Sequence, residues 1–270
     1  MPQPGVDLRL IIIGPGRAGG SIALAAAEAG HEIVGVLSRS TGQGYGPDLV
    51  WDEPLPEADL VLIAVRDEAI VDVVERLDTI VGSVGVVAHV SGFVPVRVLH
   101  PLQERGVAVG GFHPLQSMPD PVSGSRALRG AFVAIDGDPL ALDVLTHLAE
   151  SLGMTPFHLE DEDRPAYHAA AAAASNFVIT SLAIAADLFR SAGVDPAVAR
   201  PLVERAVANA YEQGPDRSLT GPIARGDIET VIGHLAAARQ VSPTVGDQFL
   251  LMAEATTLRA GREEDLDLWK

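Results

Sequence analysis

The residues of this chain that could do chemistry fall into a few short groups. The first is Gly14-Pro15-Gly16-Arg17-Ala18-Gly19, a G-x-G-x-x-G run that follows the apolar Ile11-Ile12-Ile13 directly and opens an Ala-rich segment. In that setting Gly14 permits a tight turn, Gly16 lets the backbone approach a pyrophosphate, and Gly19 lets a helix pack closely on its strand. The helix start would offer unpaired N–H groups and partial positive charge to phosphates. The competing reading, a glycine turn in some other doubly wound fold, explains less of this context.

The second group is Ser38-Arg39-Ser40. A site for NAD usually carries an acid at the end of the second strand, about 20 residues past the glycines, to hold the ribose 2′-hydroxyl. Here that acid is missing, and a guanidinium flanked by hydroxyls stands in its place. Such a set pairs with a phosphate, so the expected cofactor is NADP (NADPH). A surface Arg with NAD tolerated is the alternative. Arg17, Ala18, Ala64 and Val65 are expected to line the same site.

Histidine supplies the third group. Carbonyl reduction needs a proton for the oxygen as hydride reaches the carbon, and an imidazole near neutrality can give it. His89-Val90-Ser91-Gly92 and His113-Pro114-Leu115-Gln116 each fall where a strand should end. His113 is held extended by the following Pro. On the helical segment beyond, His168 and Ser175 are seven apart and so share a face, with Asn176 beside them. The order of preference is His168, then His113, then His89, each set against a histidine that merely packs. Asn176 joins the catalytic set, and Ser91, Gln116 and Ser175 are expected to bind substrate. Arg225, in Arg225-Gly226-Asp227, is the expected clamp for a substrate carboxylate, whereas Asp227 suits a helix cap. His31, His100, His147, His158 and His234 receive no role. No metal site is expected, because no His-x-x-x-His pair with an intervening Glu or calcium-type loop is present. A serine hydrolase finds no G-x-S-x-G elbow.

The elements that must position these residues alternate along the first 160 positions. Strands are expected at 8–13, 32–37, 60–65, 85–90, 107–112, 131–135 and 155–158, with helices at 18–29, 68–79, 94–104 and 139–152. This alternation argues for a mostly parallel sheet with helices on its faces. After Asp163 only helical patterns remain, at 165–192, 196–213, 228–239 and 243–261. The fold class is therefore α/β: a Rossmann-type domain over 1–160, followed by an all-helical domain over 161–270. The uncharged run 169–186 is only weakly apolar, so a buried helix is expected there rather than a membrane span.

Composition narrows the chemistry. With no Cys, disulfides, thiol nucleophiles and thiolate metal sites are excluded. The only Lys is the terminal Lys270, so a lysine nucleophile is excluded in practice. A net charge of −17 argues against nucleic acid and against anionic membranes. Arg17 and Arg39 must then be local exceptions that draw in an anionic cofactor.

These residues, with Gly111 to Ser117, Tyr167-His168, Ser175-Asn176-Phe177 and Thr220 to Asp227, give the chain a family likeness. It resembles the Rossmann-plus-DUF2520 proteins, predicted NADP-dependent oxidoreductases related to 6-phosphogluconate dehydrogenase, pyrroline-5-carboxylate reductase and ketopantoate reductase. The resemblance implies a cofactor cleft between the domains and a homodimer through the helical domain. Some members look like an alternative type of ketopantoate reductase. The better-known relatives use a Lys four residues before an Asn, where this chain has Ala172. The lysine mechanism therefore does not transfer. The expectation is a cytoplasmic NADP-dependent oxidoreductase acting on a small carbonyl or imine compound. Ketopantoate reduction is the narrower alternative. A non-catalytic NADP-binding redox sensor is the alternative of another class.

Overall fold

A computed structural model describes residues 7–268; Lys270 lies outside them. The chain forms two compact units, Met1–Ala172 and Ala173–Lys270.

In the first unit the strands are β1 (Arg9–Ile13), β2 (Glu32–Leu37), β3 (Ala58–Ile63), β4 (Val84–His89), β5 (Ala108–Pro114), β6 (Phe132–Gly137) and β7 (Thr155–His158). The helices are α1 (Arg17–Glu28), α2 (Ile70–Ile80), α3 (His100–Gln103), α4 (Pro121–Leu128), α5 (Pro139–Ser151) and α6 (Arg164–Ala172). The strands make one sheet in the order β2-β1-β3-β4-β5-β6-β7. All neighbours are parallel except β5 and β6.

Alternation along each strand decides which layer a side chain enters. Leu10 and Ile12 of β1 join Ile22 and Ala26 of α1 and Leu148 of α5. Ile11 and Ile13 turn to the other side and meet Val74 and Leu77 of α2 with Leu99 and Leu102. Both faces are thus covered, as a parallel sheet requires.

Several boundaries differ from the sequence expectation. Strands β3 and β4 end at Ile63 and His89, so Ala64 and Val65 sit in the loop beyond β3. The helix expected over 94–104 is a 3₁₀ turn, Val96–Leu99, followed by the single turn of α3. Pro95 and Pro101 each lack the N–H that a longer helix would use. Helix α4 had no counterpart in the sequence reading. Asp120 caps it, its Oδ1 accepting from the amides of Val122 and Ser123 at 3.0 and 2.9 Å, and Pro121 fills the first turn. A Cβ on its Gly124 would run into Ser21 of α1, so glycine lets α4 lie close on α1.

The second unit begins with a π-helical turn, Ala173–Phe177, and continues as α7 (Val178–Ser191), a 3₁₀ turn Pro196–Ala199, α8 (Arg200–Gln213), α9 (Pro215–Ser218), α10 (Pro222–Arg225), α11 (Ile228–Val241) and α12 (Pro243–Arg259). Ile184 of α7 packs with Ala238 of α11 and Val245 of α12, joined by Leu188 and Phe249. Asp227 and Ser242 cap α11 and α12. The expectation of a buried apolar helix is corrected here. The helical run Asp161–Ser191 is long and apolar enough to cross a membrane by length and composition, and only 6% of its most apolar window is buried. Ile184 is the one buried residue of α7.

Candidate active site

The carboxyl ends of β2, β1, β3, β4 and β5 stand in a row along one edge of the sheet, where open α/β sheets place their ligands. At the β2–β1 end of that row lies a cleft of about 540 Å³. Gly14, Gly16, Ser38, Arg39, Ser40, Ala64 and Val65 line it. Arg17 and Ala18 occupy the first turn of α1 beside it.

The three glycines divide by what constrains them. Gly14 has φ +83°, and a Cβ there would meet Val65 at 2.8 Å and the Ala64 carbonyl at 2.9 Å. A Cβ on Gly19 would strike the Gly14 carbonyl. Both are needed by the protein itself. At Gly16 a Cβ would meet no protein atom within 4 Å. The first turn of α1 holds no acid, and its N-cap gives no side-chain hydrogen bond. The amides of that turn are therefore open to an anion.

Sequence reasoning missed part of the cleft wall. Arg66 follows Val65 directly and pairs with Glu68 at 3.0 Å. Arg76 on α2 stacks on Trp51 at 4.0 Å and lies 3.6 Å from Asp52. Arg66 is the sequence neighbour of Val65, an expected lining residue. Trp51 and Arg76 meet only through tertiary packing. Arg39 makes no ion pair among the described residues, so its guanidinium is uncommitted.

At the β4–β5 end of the row, the structure gathers His113 of β5 with Tyr167 and His168 of α6 over the loop after β4. His113 Nδ1 lies 2.8 Å from Tyr167 Oη. The His113 ring meets the Tyr167 and His168 rings edge-on at 5.4 and 5.8 Å. Gly92 forms the floor: a Cβ there would lie 2.8 Å from His113 Nε2 and from His168 Nδ1. His168 Nδ1 is sealed from solvent without a hydrogen-bond partner.

Arg164 braces this cluster from inside. It is 1% exposed. Its Nε donates to Asp161 Oδ1 at 2.9 Å, its Nη1 donates to the Ser91 carbonyl at 3.2 Å, and its Nη2 lies 3.9 Å from Asp136. Asp161 in turn accepts from the amides of Val96 and Arg97 at 2.6 and 3.2 Å, fastening the start of the 3₁₀ turn. Burial, the largest single influence, raises Asp161, but those amides and Arg164 outweigh it and hold the carboxyl below its usual range. Sequence reading gave Arg164, Asp161 and Tyr167 no role; a buried Arg is too rare to expect.

The electrostatics follow from burial. His113 is pushed down to about 4 by burial, then by His168 and Arg164. Burial, then Arg164, likewise brings His89 down to about 4. The fully buried His89 has no partner at hydrogen-bonding geometry for either ring nitrogen, although the nearby Pro95 carbonyl opposes the shift. Tyr167 is pushed up to about 12 by burial, against the pull of Arg164.

The other expected residues are placed as follows. The Ser91 oxygen accepts from the amides of Phe93 and Val94 at 3.1 and 2.9 Å, so that side chain shapes the loop. Gln116 is exposed; it donates to the Ala127 carbonyl at 3.1 Å and accepts from its neighbour Ser117 at 2.8 Å. Ser175, Asn176 and Arg225 belong to the second unit. Ser175 and Asn176 lie in the π turn, where i→i+5 bonding replaces the pattern on which the seven-residue spacing was read. Arg225 is exposed at the end of α10. Asp136, His158 and Glu160 bring potential ligand atoms within 4.8 Å of one another. His158 and Glu160 are already bonded to each other at 2.8 Å, and Asp136 faces Arg164.

Comparison with known proteins agrees with this architecture. Residues 3–114 match the Rossmann-like domain model, and residues 131–256 match DUF2520, a domain of unknown function. A search of the curated proteins gives no match. Among solved structures, a Bacteroides fragilis protein provisionally described as an NADP oxidoreductase superposes with TM-score 0.79 at 22% identity, covering 93% of this chain and 98% of that one. An imine reductase of Streptomyces aurantiacus gives 0.68 at 17% identity, covering 94% and 95%. Pyrroline carboxylate reductase of Plasmodium falciparum, solved with NADP bound, gives 0.62 at 14%, covering 94% and 98%. These likenesses concern the fold.

Proposed function

We propose that this chain, in which a Rossmann-like domain precedes a DUF2520 domain, is an NADP-dependent oxidoreductase acting on a small carbonyl or imine compound. The observation that carries the reading is Gly16: the protein has no steric need of a glycine there, whereas a pyrophosphate lying on the backbone would. Gly14, Gly16 and the α1 amides would hold the phosphates, with Arg17 nearby. Ser38, Arg39 and Ser40 would take the 2′-phosphate, and the Trp51–Arg76 stack and Arg66 would wall the adenosine end. The nicotinamide supplies a hydride when bound. The His113, Tyr167 and His168 cluster stands on the same strand-end edge and would handle the proton. Asn176 is proposed to join the catalytic set, and Ser175 and Arg225 to bind substrate. The descriptions of the Bacteroides, Streptomyces and Plasmodium proteins lend the reading support by analogy of fold.

The test pairs binding with turnover. Arg39→Ala should weaken NADPH about 10- to 100-fold in a fluorescence titration and leave NADH nearly unchanged, since a charge-assisted bond to phosphate is worth roughly 1.5–3 kcal/mol. Equal losses for the two would sink the NADP assignment. Tight NADPH binding without turnover on any 2-keto acid or imine would favour a redox sensor, and turnover confined to ketopantoate would select that reductase.

A homodimer through the helical unit and a cytoplasmic location complete the proposal. Supporting the dimer, Leu202, Ile179, Phe177 and Leu251 are each more than half exposed within the chain. Light scattering should give twice the 28.2 kDa chain mass; a single chain mass would remove the dimer.

A further inference from the structure

We infer that Tyr167 is the proton donor of this site and that His113 is the group that aims its hydroxyl; the inference rests on the reductase reading above. Tyr167 Oη is 2.8 Å from His113 Nδ1. The phenol ring is held edge-on between His113 at 5.4 Å and Phe157 at 5.9 Å. His113 has little freedom to turn. It precedes Pro114, which keeps its backbone extended, and its Cε1–Nε2 edge lies so close to Gly92 that a Cβ there would be 2.8 Å away. A ring fixed in this way can orient a neighbouring hydroxyl.

The histidines fit the donor role less well than the phenol. His89 is fully buried and reaches no ligand. His168 has one nitrogen sealed against Gly92 without a partner. His113 has Nδ1 engaged by Tyr167, and at about 4 it holds no imidazolium near neutral pH. The groups facing His113 are Tyr167, His168 and Arg164 from α6 and His89 from β4. Tyr167, at about 12, stays protonated throughout that range. Its proton can still pass downhill to a forming alkoxide, whose basicity approaches that of hydroxide, with bulk water at about 15.7.

As the carbonyl carbon accepts the hydride, its C=O π pair moves to oxygen. The oxygen takes the Tyr167 Oη proton, and the phenolate left behind is reprotonated from water. For this the neutral imidazole of His113 must carry its proton on Nδ1 and donate it to Oη, which leaves the Oη–H free for the ligand and steadies the phenolate. The buried Arg164 charge acts in the same direction, since it lowers Tyr167.

The test compares Tyr167→Phe and His113→Asn in the full chain, with pyruvate, ketopantoate and pyrroline as probes. Tyr167→Phe should lower kcat about 10²- to 10⁴-fold while the NADPH Kd is unchanged. The Asn amide can replace the Nδ1–H donor, so His113→Asn should lose only about tenfold. Nitrogen NMR of NADPH-bound wild type should find the His113 proton on Nδ1. The inference is overturned if Tyr167→Phe keeps kcat within about threefold of wild type, or if the His113 proton sits on Nε2. Wild-type protein inert toward all three probes would instead sink the reductase reading, and the NMR result alone would then decide the His113–Tyr167 arrangement.

Discussion

At the β1–β2 end of the sheet edge Arg39 and the α1 amides are left open, whereas at the β4–β5 end Arg164, Asp161, His113 and Tyr167 are committed to neighbours. Arg39 has no ion pair among the described residues, the α1 amides have no capping side chain, and Gly16 faces open space. The loop after β4, by contrast, is fastened by Arg164, Asp161 and the Ser91 turn, with His113 locked to Tyr167. The difference teaches how to separate residues kept for a ligand from residues kept for the fold. A group that the protein can spare, placed on a ligand-binding edge, marks the first kind. A group that nothing could replace without a clash marks the second.

The largest effect that would test this contrast is loss of stability in acid. His89 and His113 stand near 4 in the folded chain against an ordinary value of 6.5. Between those values the unfolded chain binds protons that the folded chain refuses, so stability is full above 6.5 and falls as pH drops toward 4. Each imidazole should contribute a loss on the order of 3 kcal/mol across the window. Urea unfolding between about pH 7 and pH 4 measures it, and His89→Leu should flatten the slope by about half. An unchanged slope in that variant would show that His89 is not the neutral, sealed group described.

A smaller effect comes from paired glycine substitutions. Gly92→Ala pushes a methyl against His113 and His168 and should cost about 1–3 kcal/mol in urea unfolding. Gly16→Ser places a favoured N-cap residue at α1, so stability should change by no more than about 0.5 kcal/mol. Its cost should appear in NADPH affinity instead. If Gly16→Ser unfolds the protein, or Gly92→Ala is silent, the contrast between the two ends collapses.

The sheet and the glycine run were legible because their signals are local. β2 runs from Glu32 to Leu37 as its apolar run indicates, and the Gly14 turn sits where the strand stops. Legibility ended where function depends on residues far apart in sequence. Trp51 under Arg76, and Tyr167 against His113, are contacts that no spacing rule contains. Arg164 was passed over because charge normally marks a solvated face, and only the Asp161 and Ser91 acceptors make its burial tolerable. The Ala-rich run misled in the other direction. Its composition suggests a covered helix, but only 6% of its most apolar window is buried. Helix α4 was recoverable: Asp120-Pro121 is an Asp cap followed by Pro in the first helical turn.

The brace on the loop after β4 has a consequence in time. Arg164 stands 73 residues after the Ser91 carbonyl that it holds. At synthesis rates of about 5–20 residues per second, roughly 4–15 s pass between the emergence of one and of the other. During that interval the strands can already pair, but the loop after Ser91 has nothing to fasten it. The proton-handling end of the site is therefore the last part of the first unit to set on the nascent chain.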